Sequence, residues 1–111
     1  MILTTTEKIP HREIIEILGI ARGSTVRSRN LGRDFFAGLK HIIGGEISEY
    51  TKLQAESREQ ALTRMKYDAE KLNADAIVNI RFETSAITQG SSEILAYGTA
   101  VKLNELWVLK L

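Results

Sequence analysis

The sequence predicts an α+β fold: an antiparallel β-sheet with one long and one short helix packed on one face, in the order β-β-α-α-β-β. Three observations lead there. Residues 46–74 carry an apolar stripe at helical spacing. Residues 75–87 alternate apolar and polar side chains, as a half-buried strand does. Residues 13–27 are dense in isoleucine and hold Gly19 and Gly23, each of which would cost a helix about 1 kcal/mol. At 111 residues the chain has the length of one domain.

Taken in order, residues 2–5 read as a short strand of stiff β-branched side chains, stopped before Pro10, the single proline. In the second strand, Ile15, Ile17, Gly19 and Ala21 alternate with Ile14, Glu16, Leu18 and Ile20, so both faces are apolar. The glycines there mark a bulge or a close backbone approach. Residues 28–45 read as the short helix. Asn30 is its cap, Leu31, Phe35 and Leu39 its inner face, and Gly44-Gly45 its stop.

The long helix follows, with Ser48 as a cap. Its stripe runs through Tyr50, Leu53, Ala61, Leu62, Met65, Ala69 and Leu72. Lys66 with Glu70 and Asp68 with Lys71 are spaced as ion pairs on the wet side. Asn73 falls where a left-handed cap is needed. In the next strand Val78, Ile80 and Phe82 are expected on one face, and Asn79, Arg81 and Glu83 on the other. Residues 88–93 read as a turn and 94–103 as the closing strand of an antiparallel hairpin.

Composition narrows the function. A content of 43% hydrophobic and 26% charged residues suits a packed globular core rather than a disordered chain. A net charge of +1 gives no field strong enough to attract nucleic acid in bulk. With no cysteine there is no disulfide, no thiolate nucleophile and no sulfur ligand for a soft metal. The opening residues lack the pattern of a signal peptide, and no apolar run is long enough to span a bilayer. A cytoplasmic protein with no membrane partner is the expectation.

The strands carry more apolar surface than helices on one face can cover. Ile14, Leu18 and Ile20 oppose Ile15 and Ile17, and Leu95, Tyr97 and Val101 oppose Ile94, Ala96 and Ala100. A homo-oligomer that covers the second face or the strand edges is the economical answer. Beyond the 1–104 domain, the apolar tail 105–111, with Trp107, is expected to dock on its own subunit or a neighbour.

Three groups of residues could carry chemistry. His41, Glu46 and Glu49 are weak metal candidates; their spacing equally suits a helix end and the start of the next. Arg22, Arg27, Arg29 and Arg33, with no acid until Asp34, could bind an anion or nucleotide-like ligand at a helix start. The glycine-lysine-serine pattern of a phosphate-binding loop is missing. Asn79 and Arg81, with Glu83, Tyr97 and Thr99, could line a pocket or a ring lumen, or form a wet sheet face. No serine sits in a nucleophile elbow and no acid–histidine partnership is readable, so catalysis is not the leading expectation. Nothing names a cofactor.

The segments TTTEKIP, GIARGSTVRSRNLGRD, GGEISEYTKLQAESREQALTRM, NADAIVNIRF and ILAYGTAV together resemble the YbjQ family of small bacterial and archaeal proteins, over residues 1–104. His11 and Asn73 stand where that family commonly has glycine. The resemblance implies a dodecin-like subunit and a ring-shaped homopentamer. It also brings a heavy-metal-binding label, which no cysteine and two isolated histidines do not support. The expected function is a non-catalytic, homo-oligomeric module that binds a small ligand or a partner. The alternatives are an anion- or nucleotide-binding protein or weak enzyme using residues 22–33, and a metal-binding protein.

Overall fold

The computed structural model describes residues 1–28, 48–88 and 91–105. These form β1 (Ile2–Leu3), β2 (Ile14–Ser28), α1 (Ser48–Glu70), β3 (Ala76–Thr88) and β4 (Ser91–Leu103). The fold is mixed α+β, with one sheet in the order β1-β3-β4-β2. Ser28, expected to open the short helix, is the last residue of β2; the rest of that predicted helix lies outside the described residues, as does the tail from residue 106.

The sheet is not wholly antiparallel. β1 runs parallel to β3, with Ile2 beside Ala76 and Leu3 beside Ile77. A parallel neighbour needs a long crossover, and residues 4–75 supply it. The β3–β4 hairpin is also tighter than expected. Ser91, Ser92 and Glu93 belong to β4 and pair with β2 and β3, the last hairpin pair being Thr88 with Ser91. Their turn propensity yields because β4 is central and offers ladder bonds on both sides.

α1 lies over β2 and β4 and scarcely reaches β3. Ala61, Met65 and Ala69, one turn apart, are fully buried and meet Ala21, Ile77, Ile80, Ile94, Ala96 and Ala100. Helix and sheet come this close because of Gly23. A Cβ there would overlap the Met65 backbone nitrogen and the Ala61 carbonyl oxygen, and stand 2.7 Å from the Arg64 carbonyl carbon. Gly19 plays the other expected part: its φ of 139° sits at a register shift between Ile17 and Gly19.

The helix ends at Glu70, before the expected residue 74, and Leu72 falls in the turn, part-exposed. Asn73 adopts a left-handed φ of 59°. Its N–H bonds the Glu70 carbonyl at 3.0 Å, and the Ala74 N–H bonds the Ala69 carbonyl at 3.2 Å. These are the two bonds of a Schellman cap, with Asn73 in the position glycine usually takes.

Val78, Ile80 and Phe82 do not share a face. Asn79 has a φ of 55° and lies in a bulge, so that Val78 opposes Thr99 and Arg81 opposes Tyr97. The extra residue flips the side-chain parity of everything after it. Ile80 therefore joins Ile77 under α1. Val78 instead packs with Ala76, Val101 and Leu103 on the opposite face, where Ile9 covers them. The segment before β2 thus folds back and shields one end of the face that was expected to be bare. Asn79→Val should lower stability by about 1–2 kcal/mol, because a β-branched side chain resists left-handed backbone. Asn79→Gly should be near neutral. Urea unfolding of both variants checks this.

The chain exposes 7848 Å², against about 6100 Å² for a compact monomer of its mass. Ile17 and Ile20 project from the face opposite α1 at 71% and 61% exposure, in line with the rows Val101–Ala76 and Thr99–Val78.

Candidate functional site

The face of the sheet away from α1 is built row by row from its register. Arg22, Tyr97 and Arg81 form one row; Ser24, Leu95 and Glu83 form the next. On one side of these the row Ile20–Thr99–Val78 brings apolar surface. Arg22 and Arg81, which come from two separate candidate groups in the sequence, thus flank one half-buried tyrosine. They stand two strand spacings apart, about 10 Å.

The two arginines differ in their commitments. Arg81 donates through Nη1 to the Thr5 carbonyl at 3.0 Å and to the Ile80 carbonyl at 2.8 Å. The Asn79 N–H donates to the Thr6 carbonyl and the Ile80 N–H to the Thr4 carbonyl. Asn79 and Arg81 therefore hold the N-terminal segment against β3. The Arg22 side chain is exposed. Arg27 is in β2 and Glu49 in the first turn of α1, but their side chains are outside the described residues, as are Arg29, Arg33, His41 and Glu46 entirely. The joint between two helices expected around residues 41–49 shares that position.

Polar links that sequence patterns did not reveal tie the sheet together. The Arg22 backbone N–H donates to Asp68 Oδ2 at 3.0 Å, and Arg64 Nη1 donates to the Ser24 carbonyl at 2.6 Å. Both links run from α1 to the outer edge of β2. Asp68 is thus used on the backbone, not paired with Lys71 as its spacing suggests. Asp75 accepts the Leu103 N–H at 2.9 Å and lies 3.6 Å from Lys102 Nζ. Arg12 donates through Nε and Nη2 to the Asn104 carbonyl, while Asn104 Oδ1 accepts the Glu13 N–H. Partners 91 and 92 residues apart leave no local signal in a sequence.

Among the described residues, no group of three His, Asp or Glu side chains could hold a metal ion. No described helix is long and apolar enough to cross a membrane.

A family model described as "Putative heavy-metal-binding" matches residues 1–104. The described donor set does not fit that description. Among curated proteins, a UPF0145 protein of Vibrio campbellii is 59% identical over 103 residues, covering 93% of this chain and 99% of its own. A UPF0145 protein of Archaeoglobus fulgidus is 55% identical over 103 residues, covering 93% and 95%. Among solved structures, a protein of unknown function from Pediococcus pentosaceus, of the DUF74 family, shares the fold. Its TM-score is 0.62 at 15% identity, over 94% of this chain and 98% of that one.

Proposed function

The chain belongs to the YbjQ family, and from that premise we propose that it is a non-catalytic homo-oligomeric module of the cytoplasm, a dodecin-like subunit in a five-fold ring that binds a small ligand or a partner. The observation that carries this is the apolar surface on the face opposite α1, where Ile17 and Ile20 stand more than half exposed. Water favours polar side chains there; a neighbouring subunit favours these. Arg22, exposed beside Tyr97 and one row from Ile20, puts a cation at the rim of that surface. A ligand bound between subunits would meet it. The untagged protein at micromolar concentration should show a native mass that is a multiple of five times 12.4 kDa. A monomer in native mass spectrometry and light scattering would end this reading.

A further inference from the structure

The two long edges of the sheet are treated differently. The edge of β2 is engaged by its own helix at two places: Asp68 accepts the Arg22 N–H and Arg64 donates to the Ser24 carbonyl. Covering an edge with a helix is one way proteins prevent strand addition. Among the described residues, the edge of β3 has no such cover past Ile80. β1 pairs only at Ala76 and Ile77, and the N-terminal segment reaches Asn79 and Ile80. Among the described residues, nothing bonds the outer side of residues 81–88. That stretch carries neither lysine nor proline, though it does carry Arg81 and Glu83, and a register shift follows Ala86. It exposes two large apolar side chains: Phe82 at 42%, on the α1 side, and Ile87 at 52%.

We propose that residues 82–86 of β3, between the N-terminal segment and the register shift after Ala86, pair antiparallel with the same residues of a second copy, making one sheet continuous across a two-fold axis. This rests on the homo-oligomer reading and names one of its interfaces. The occupant is a second β3 because a two-fold contact is isologous, so one edge meets the same edge of the other copy; the β2 edge is interrupted at Arg22 and Ser24 by Asp68 and Arg64. A two-fold axis along the sheet normal joins edge to edge, reverses the strand direction and keeps both faces aligned, so partners must have the same parity. A centre at Thr84 satisfies that parity and uses the stretch between Arg81, which holds Thr5, and the register shift after Ala86. It sets Phe82 opposite Ala86, Glu83 opposite Ser85, and Thr84 opposite Thr84 of the other copy. No like charges face each other, which such pairs would penalise. α1 scarcely covers β3, so it does not block the approach. A two-fold contact added to a five-fold ring closes at ten copies.

The chain has no cysteine, so an introduced one reports alone. Directly opposed residues in an antiparallel pair have Cα atoms about 4.5–5.5 Å apart, within disulfide reach. Under mild oxidation Thr84→Cys should give a covalent dimer of the full-length protein on a non-reducing gel, while Ser85→Cys should not. In a second variant, Thr84→Lys opposes two ammonium groups across the axis. Its native mass should fall to half that of the wild type, from ten copies to five, with the far-UV spectrum unchanged. A wild-type pentamer, an oligomer that Thr84→Cys does not cross-link, or equal cross-linking by Ser85→Cys would overturn the β3 pairing and leave the homo-oligomer standing. A wild-type monomer would overturn both.

Discussion

Gly23→Ala is expected to destabilise the protein by more than about 3 kcal/mol, at the upper end of overpacking costs. One methyl group would do this because of what it strikes. At Gly23 the added carbon runs into α1 backbone at Ala61, Arg64 and Met65. A flexible side chain could swing away; a helix backbone must translate. That shift would pull Ala61, Met65 and Ala69, all fully buried, off the sheet. It would also strain the Arg64 and Asp68 links to the edge of β2. For a chain of this size the midpoint of thermal unfolding should drop by roughly 10–20 °C. A midpoint within a few degrees of wild type would mean that helix and sheet have room between them. Gly19→Ala is the useful contrast, since the nearest atom to its added carbon is the Leu72 side chain at 3.9 Å. Its cost is conformational only, from the φ of 139°.

Replacing Ile17 and Ile20 together by aspartate should break the five-fold ring and leave folded subunits of 12.4 kDa, joined in twos where β3 pairs with β3. Burying an isoleucine is worth about 1.5–3 kcal/mol, so each contact lined by this pair loses roughly 3–6 kcal/mol before the cost of desolvating carboxylates is added. The subunit itself should survive, because both side chains point away from α1 and are already mostly exposed in the single chain. The far-UV spectrum should stay as it is while sedimentation slows. An unchanged mass would show that the exposed isoleucines are not where copies meet. Loss of structure would show that they serve the subunit's own core.

Much of the fold was legible because its signals are local. The stripe through Ala61, Met65 and Ala69 is buried as its spacing requires. Asn73 caps the helix in the geometry its residue type tolerates. The glycines of β2 mark one bulge and one close approach, both available from the residue type alone. The errors share a different cause. A period-two reading assumes that parity is never broken, and Asn79 breaks it, sending Val78 and Ile80 to opposite faces. The parallel partner of β1 depends on where residues 76–77 lie after a long crossover, which no window of sequence encodes. The site was less legible still. Arg22 and Arg81 were read as parts of separate clusters, and it is the shared neighbour Tyr97 that sets them in one row. The Arg81 guanidinium proves to be tied to the N-terminal segment, a contact across 76 residues that no spacing rule predicts.

The strand order has a consequence for synthesis. Among the described strands β4 comes last in sequence, yet it lies between β3 and β2. A chain emerging from the ribosome can form α1 and the short β1–β3 contact early, but β2 has no partner strand until residues 91–103 are out. The β3–β4 hairpin then closes quickly, and β2 joins it last, across a separation that makes such pairings slow. Until that moment the isoleucines of β2 have neither their own sheet nor a neighbouring subunit to meet. The interval between the emergence of β2 and its capture by β4 is therefore when the nascent protein most needs a chaperone.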